Sequence, residues 1–350
     1  MVRFVDVSHL ARWVAEGNLD SILAGLVAYQ EQDFRRRTTF ELSPRVASHS
    51  AEGVIELMPT SDGTTYAFKY VNGHPANPAR GFQTVTAFGM LADVRTGYPT
   101  FVSEMTLLTA LRTAAVSAMA ARALARPGAR TMAMIGTGSQ SEFQALAFRA
   151  VLGIRRLRIW DTDPAALAKF VRNAEPLGFD VVVASSAADA VRGADIITTC
   201  TADKTNATVL TDAMVGAGVH VNAIGGDCPG KTELDPAILH RSEVFVEFTE
   251  QTRTEGEIQQ VGPDFPVTEL WRVLTGAQAG RTSAEQITVF DSVGVAVEDF
   301  SALRFLRDAV DGTDYVTEIE LIADPADPKD LFSLVRAVAP LAAAPLAVRR

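Results

Sequence analysis

The sequence has few cysteines, no block of basic residues and no long apolar segment. Its two cysteines, Cys200 and Cys228, are too few for a disulfide framework and lack the spacing of a zinc site. Acidic residues outnumber basic ones 42 to 32, and the resulting net charge of −10 disfavours binding to nucleic-acid phosphates or anionic membranes. No apolar run approaches the roughly 20 residues of a membrane span, and acidic residues interrupt the N-terminal segment. We therefore expect a soluble cytoplasmic protein with no metal site, nucleic-acid partner or membrane contact.

The hydrophobic periodicity changes near residue 127. Before it, the first 35 residues have helix-like spacing, and short alternating strands then lead to a small-residue helix over 105–125. These strands are predicted at residues 54–58, 64–71, 83–88 and 99–103. After Pro127 and Gly128, apolar strands alternate with helices, which is typical of a parallel sheet covered on both faces. The sequence predicts an α/β fold, in which a Rossmann-type doubly wound parallel sheet follows an antiparallel α+β module.

A glycine-rich loop follows the first strand of the alternating region. Gly136 and Gly138, in the segment GTGSQS, stand where a dinucleotide-binding turn lies between a strand and a helix. The first glycine allows the tight turn, and the second lets backbone amides approach a pyrophosphate at the helix N-terminus. Asp161 ends the next strand, where its carboxylate can accept both ribose hydroxyls and would repel a 2′-phosphate, which favours NAD. Ser141 replaces the third glycine, and a plain glycine turn beside a helix-capping aspartate is the alternative.

Four charged residues of the first module lie among apolar neighbours. Arg112 lies in the small-residue helix, and Lys69 lies on an alternating strand. Arg45 and Glu56 stand in short apolar segments before it. A buried charge is costly unless it is paired, so these residues suggest a pocket in which three cations bind a carboxylate and Glu56 binds an ammonium. Taken alone, each is more often a snorkelling surface side chain or a structural ion pair.

Asp227 directly follows a predicted strand and two glycines. This position is the carboxyl side of the predicted parallel sheet, where α/β proteins bind their ligands. Gly-Gly-Asp is also favourable turn chemistry, so an ordinary turn aspartate is the alternative. Cys228 has no apparent histidine partner, and we expect it to have a packing role.

Eight stretches of the sequence are long and specific. They are RVASHS (45–50), VIELMP (54–59), FKYVNGHPAN (68–77), FGMLADVRTGYP (88–99), ALRTAA (110–115), GTGSQSEFQALAF (136–148), GGDCPGKTEL (225–234) and VFDSVG (289–294). With them the chain resembles the ornithine cyclodeaminase/mu-crystallin family over residues 1 to about 315. GGDCPGKTEL, VIELMP and KYVNGHP resemble the cyclodeaminases of this family more than its dehydrogenases, ketimine reductases or hormone-binding members.

The resemblance implies roles for individual residues. Arg45, Lys69 and Arg112 would hold the α-carboxylate of a substrate, and Arg112 would also border the cofactor. Glu56 would lie near the amino groups of the substrate, Val293 would line the pocket, and Asp227 would be the acid/base residue. NAD would contact the glycine loop at Gly136 and Gly138 together with Thr84, Ser139, Gln140, Asp161, Thr201, Val221, Asn222, Ala223, Ile224, Lys231 and Ser292.

The activity that the resemblance implies is the conversion of L-ornithine to L-proline and ammonia. NAD+ would take a hydride from Cα, the tethered δ-amine would close the ring, ammonia would leave, and the same NADH would return the hydride. A dehydrogenase or cyclic imine reductase that uses NAD(P)H is an alternative on the same scaffold. A lysine cyclodeaminase is another, since its substrate differs by one methylene, and a non-enzymatic binding protein similar to mu-crystallin is a third.

The predicted organisation has two domains. Residues 129–300 would form the NAD-binding domain. The helix predicted over 297–310 would return the chain to the first module, so that residues 1–128 and about 301–350 form the substrate-binding domain. The resemblance implies a homodimer built through the N-terminal sheet. The Ala/Pro-rich tail from residue 337 to residue 350 predicts a poorly specified terminus.

Overall fold

The computed structural model describes residues 1–201 and 207–338, and within them the chain forms two β-sheets covered by helices. In chain order the elements are β1 (Val2–Val5), α1 (Val7–Glu16), α2 (Leu19–Arg35), β2 (Val46–His49), β3 (Val54–Ser61), β4 (Thr65–Gly73), β5 (Ala87–Asp93), β6 (Pro99–Glu104), α3 (Thr106–Leu124), β7 (Thr131–Ile135), α4 (Ser141–Leu152), β8 (Arg156–Trp160), α5 (Pro164–Ala174), β9 (Asp180–Val183), α6 (Ala187–Val191), β10 (Ile196–Thr199), β11 (His220–Ala223), α7 (Pro236–His240), β12 (Glu243–Val246), α8 (Thr249–Glu255), β13 (Thr268–Glu269), α9 (Leu270–Leu274), β14 (Thr288–Asp291), α10 (Ala296–Ala309), β15 (Thr317–Ile319) and α11 (Phe332–Val338). From residue 339 onward, the predicted tail lies outside the described residues.

One sheet, called the parallel sheet below, has its strands in the order β13-β12-β14-β11-β10-β7-β8-β9. Every neighbouring pair in it is parallel. From β7 the chain moves outward to β8 and β9 and then returns to β10 on the other side of β7. At such a reversal a crevice opens at the carboxyl ends of the strands, and ligands of doubly wound folds bind there. The predicted α/β class and its doubly wound parallel sheet are confirmed.

The other sheet, called the mixed sheet below, has the order β15-β1-β6-β5-β4-β3-β2. Strands β2 to β6 form an antiparallel meander, but β1 pairs parallel with β6. Two sequence predictions are therefore wrong in detail. The chain begins with strand β1 rather than with a helix. The sequence pattern does not reveal this strand, because four residues are too few to show a period. The strand predicted at 83–88 is in fact β5 at 87–93. The carbonyls of Thr84 and Thr86 still accept backbone hydrogen bonds from His74 and Asn72, but the amide of Thr86 donates to the side chain of Asn72 rather than to a backbone carbonyl.

Helix α3 lies between the two sheets. It contacts β5 of the mixed sheet and β11 and β14 of the parallel sheet, with α2, α4 and α10 around it. By length and hydropathy it could cross a membrane, but 67% of that apolar window is buried inside the protein, as in a core helix. Five of its twelve buried positions are alanine, which lets neighbouring elements approach closely, and Arg112 is carried into the interior.

The chain leaves the parallel sheet at the end of β14. Helix α10 follows after four residues and packs on β3, β4 and β5 of the mixed sheet, and β15 then pairs with β1. The segment from Ser292 to Asp299 thus connects the carboxyl edge of one sheet to the buried face of the other.

Candidate active site

The loop after β7 has the geometry of a phosphate-binding turn. Gly136 has a φ of +100°, and a Cβ at this position would lie 2.7 Å from the carbonyl oxygen of Cys200, so only glycine fits. Gly138 and Ser139 are exposed just before α4. Ser141, which replaces the third glycine of the motif, is buried and donates a hydrogen bond of 2.7 Å to the carbonyl of Gly138. The serine therefore closes the turn without filling the space in front of it.

Asp161 lies opposite this loop, directly after β8. Its Oδ2 accepts hydrogen bonds from the amide (2.6 Å) and the hydroxyl (2.9 Å) of Thr137, and its Oδ1 accepts from the amide of Asp163 (2.9 Å). A carboxylate offers about four acceptor positions, so ribose hydroxyls can still bind here. Asp161 also holds the glycine loop in place, which the sequence did not indicate.

The other residues assigned to NAD by resemblance lie mainly along one edge. Thr201 follows β10, Val221, Asn222 and Ala223 belong to β11, Ile224 follows that strand, and Ser292 follows β14. These are the carboxyl ends of three adjacent strands, β10, β11 and β14. Lys231 is buried on the loop after β11, and Thr84 lies apart on the loop between β4 and β5 of the mixed sheet.

A polar atom in the loop supports the fit to a dinucleotide. Oε1 of Gln140 is buried and has no hydrogen-bond partner among the described residues. Leaving such an acceptor unpaired costs about 1–3 kcal/mol, which a ligand with hydroxyl or amide groups would recover. Together with the turn at Gly136 and the exposed loop residues Gly138 and Ser139, this acceptor makes the carboxyl edge suitable for NAD.

The structure brings Lys69 and Arg112 together from β4 and α3. Nζ of Lys69 lies 2.8 Å from Oδ1 of Asp299, and Nε of Arg112 donates to the same oxygen at 3.0 Å. Nη1 of Arg112 donates to Glu298. Burial, together with repulsion from Arg112, lowers the pKa of Lys69 to about 8. These two cations are therefore paired and buried rather than snorkelling to the surface.

Arg45 joins the same cluster from the segment before β2. Its Nη2 donates to the carbonyl oxygens of Val293 (2.6 Å) and Gly294 (2.9 Å), and its Nη1 donates to Glu56 (3.0 Å). Oε2 of Glu255 lies 3.1 Å from its Nε. Arg45 thus ties the mixed sheet to the loop after β14, and the structural ion pair that the sequence left open is present.

Asp227 lies on the loop after β11, next to this cluster. Its Oδ1 lies 3.1 Å from Nζ of the buried Lys231, and 52% of its side chain is exposed. It is close enough to influence the pKa values of Arg45, which its charge raises, and of Glu255, which it also raises. Asp227 therefore offers an accessible carboxylate beside buried cations.

Sequence reasoning missed the buried acids that surround the cations, namely Glu247, Glu255, Glu298 and Asp299. Glu247 accepts a hydrogen bond of 2.5 Å from the hydroxyl of Ser292, and burial raises its pKa. Glu298 and Asp299 stand in the first turn of α10, where acids are common even on exposed helices, so the sequence gives no signal of their burial.

One of these acids gives a prediction for stability. Burial raises the pKa of Glu255 from 4.5 to about 7, although Arg45 attracts its charged form. As the pH rises, Glu255 loses its proton near pH 4.5 in the unfolded chain but only near pH 7 in the folded protein. The stabilisation that comes from this bound proton is therefore full below about pH 4.5 and is lost as the pH rises through 7. Glu255→Gln cannot ionise, so its free energy of unfolding should rise relative to the wild type by about 1–3 kcal/mol between about pH 5 and pH 8.

Urea unfolding at both pH values measures this difference. Glu250→Gln is the matched control, because Glu250 is exposed on the same helix α8 and should show the same difference from the wild type at both pH values. A constant difference for Glu255→Gln as well would contradict the raised pKa.

Comparisons with known proteins agree with this geometry. The sequence profile of the ornithine cyclodeaminase/mu-crystallin family matches residues 9–314. The chain is 61% identical over 335 residues to the ornithine cyclodeaminase of Brucella suis biovar 1 (strain 1330), which covers 96% of this chain and 94% of the relative. A solved lysine cyclodeaminase, studied for recognition of L-lysine, L-ornithine and L-2,4-diaminobutyric acid, has a TM-score of 0.88 at 35% identity, covering 94% of this chain and 98% of that one. An archaeal alanine dehydrogenase dimer with bound NAD has a TM-score of 0.84 at 29% identity, covering 92% and 99%. The chain therefore belongs to the ornithine cyclodeaminase/mu-crystallin family.

Proposed function

We propose that this protein is an ornithine cyclodeaminase, which converts L-ornithine to L-proline and ammonia with NAD. The identity of 61% to a relative of that name far exceeds the 35% and 29% found for the lysine cyclodeaminase and the alanine dehydrogenase. The observation that carries the proposal is the contact of Arg45 with the carbonyls of Val293 and Gly294. This contact joins the buried cations of the mixed sheet to the edge that carries the glycine loop.

The carboxyl edge of the parallel sheet would hold the cofactor. The turn at Gly136 and the exposed residues Gly138 and Ser139 suit a pyrophosphate, and Asp161 suits the ribose hydroxyls. The chemistry that NAD supplies when bound is reversible hydride transfer at Cα of the substrate. No net oxidation results, because the electron pair taken from Cα is returned to the ring product.

The buried cations would hold and orient the substrate. Charge-assisted hydrogen bonds from Lys69, Arg112 and Arg45 to the α-carboxylate would contribute about 1.5–3 kcal/mol each. Since the three donors would reach the carboxylate from β4, α3 and the segment before β2, they would fix the direction of Cα as well as its distance from the cofactor edge. Glu56, which accepts from Arg45, would attract the amino groups of the substrate.

Asp227 would move the protons. Its accessible carboxylate would take a proton from a substrate ammonium, so that the neutral δ-amine can attack Cα, and would return a proton to the nitrogen that leaves as ammonia. The ring closure itself needs little further help, because the nucleophile is tethered to its target.

The same proposal assigns each sheet to a domain. Residues 129–300 would bind NAD, whereas residues 1–128 with the segment from about 301 would bind substrate and pair two copies into a homodimer. Val46, Leu57 and Phe88 of the mixed sheet are exposed, and apolar exposure of this kind is typical of an interface. The enzyme would form proline from ornithine in the cytoplasm, where cysteines that form no disulfide stay reduced.

A turnover assay tests this function. Purified protein is incubated with a catalytic amount of NAD+ and either L-ornithine or L-lysine, and ammonia and the ring product are identified by mass spectrometry. We expect L-proline and ammonia in equal amounts from ornithine, many turnovers per NAD+ and no accumulation of NADH absorbance. Stoichiometric NADH would identify a dehydrogenase, faster conversion of lysine a lysine cyclodeaminase, and binding without turnover a binding protein.

A further inference from the structure

The segment that follows β14 contacts both the carboxyl edge of the parallel sheet and the buried cations of the mixed sheet. Ser292 lies at the carboxyl edge of the parallel sheet, and the carbonyl of Val293 accepts from Arg45. Gly294 has a φ of +76°, and a Cβ there would lie 2.8 Å from Nη1 of Arg112. Glycine at this position therefore lets Arg112 pack directly beneath the loop. The first turn of α10 then places Asp299 within hydrogen-bond distance of the same arginine.

Asp299 is the point at which two cations meet. A single oxygen, Oδ1, bonds both Nζ of Lys69 and Nε of Arg112, and the carboxylate is 1% exposed. Its other oxygen, Oδ2, is buried and has no hydrogen-bond partner among the described residues. With Nε committed to Asp299 and Nη1 committed to Glu298, the plane of the guanidinium of Arg112 is fixed. A shared acceptor also fixes the separation of the two cations.

The charges around Lys69 leave it dependent on this carboxylate. Arg112 on α3 and Arg45 before β2 disfavour its charged form, as does burial, whereas Asp299 favours it. Glu298 on α10 is also near, with a pKa raised by burial, and Glu56 lies on the same buried face of β3 as Met58, the strand partner of Lys69. Among the residues that the structure describes, Asp299 is the carboxylate within hydrogen-bond distance of Lys69.

We propose that Asp299 is a positioning residue, which aims Lys69 and Arg112 at the substrate carboxylate and supplies the negative charge that balances Lys69 in its buried place. The inference deepens the proposed function and rests on it, because the carboxylate that these cations bind is that of the amino-acid substrate. Asp299 itself does not touch the substrate. It acts through the two cations, and the glycine at position 294 makes room for one of them.

Binding of L-proline to the NADH-loaded protein tests the inference without turnover. Isothermal titration calorimetry is run across the range of pH 6.5 to 9.5 on wild type, Asp299→Asn and Asp299→Glu. We expect Asp299→Asn to weaken L-proline binding by about 10- to 100-fold while NADH binding changes less than about twofold. The upper pH limit of L-proline binding should also fall by about one unit or more, because loss of the Asp299 charge lowers the pKa of Lys69 from its wild-type value of about 8. The amine of L-proline titrates identically with every variant, so it does not affect the difference in pH limit between them.

Further variants distinguish the effect of losing the Asp299 charge from an effect on packing or folding. Asp299→Glu keeps the charge, so it should weaken binding but retain the upper pH limit of the wild type, which loss of packing alone would not predict. Asp308→Asn, at an exposed position of the same helix, should bind L-proline like the wild type. If Asp299→Asn gives no folded protein, the double variant Lys69→Met/Asp299→Asn should fold again, since it removes Lys69 together with its carboxylate and leaves Arg112 paired with Glu298.

Different results would contradict the role of Asp299 and the proposed cyclodeaminase function. An unchanged pH limit in Asp299→Asn, equal loss of NADH binding, or failure of the double variant to recover folding would each overturn the role of Asp299. Wild-type protein that binds neither L-proline nor L-ornithine would instead overturn the proposed function.

Discussion

Replacement of Asp227 by asparagine is expected to lower kcat for L-ornithine by about a thousandfold, because the amide cannot accept and return a proton. Asparagine has the same shape, and the residue is half-exposed, so the fold should not change. Binding of NAD should also persist, since the glycine loop lies on a different strand connection. Ammonia release measures kcat, and quenching of protein fluorescence by NADH measures cofactor binding.

Loss of the Lys231 partner is the one side effect of this change that needs a control. Lys231→Met removes the same ion pair from the other side and leaves the carboxylate of Asp227 in place. We expect this variant to retain far more activity than Asp227→Asn at saturating NAD. Asp180→Asn, on the outer strand β9, should behave like the wild type. Normal turnover by Asp227→Asn would assign proton transfer to another residue, and Glu56 and Glu255 would then be the groups to examine.

The parallel sheet was predictable from the sequence because its central strands are buried on both faces. Such strands appear as continuous apolar runs, as in residues 131–135, and the glycine loop marks where the first one ends. The strands that the sequence missed, β1, β2, β13 and β15, have two to four residues each. The pairing of β1 with β15 is also nonlocal, since these two strands come from opposite ends of the chain. No local pattern carries that information.

The cation cluster shows a similar limit, because the sequence revealed its cations but not the acids that surround them. Lys69 and Arg112 were visible because a cation interrupts an apolar pattern in a strand or a helix. Their acidic partners were not, because Glu298 and Asp299 stand in the first turn of α10. Acids are favoured at that position even on exposed helices, where they interact with the helix dipole, so their presence did not signal burial. Only the packing of α10 on the mixed sheet shows that they face the cations.

The two glycines of the loop should fail in different ways when each is replaced by alanine. Gly136→Ala must adopt a φ of +100° and place its Cβ 2.7 Å from the backbone carbonyl of Cys200, which cannot easily move. We expect it to lower the free energy of unfolding of the cofactor-free protein by about 2 kcal/mol or more. Gly138→Ala meets no atom within 4 Å, so its stability should stay within about 1 kcal/mol of the wild type.

Gly138→Ala should mainly affect binding of the cofactor, although it leaves stability nearly unchanged. If the pyrophosphate packs against the loop, the added methyl occupies the space in front of Gly138, and affinity for NADH should fall by about tenfold or more. Urea unfolding without cofactor and NADH titration, carried out on both variants, separate these effects. Gly138→Ala with wild-type affinity would contradict placement of the pyrophosphate at this turn. Gly136→Ala with wild-type stability would contradict the close approach of the loop to β10, on which the crevice between β7 and β10 depends.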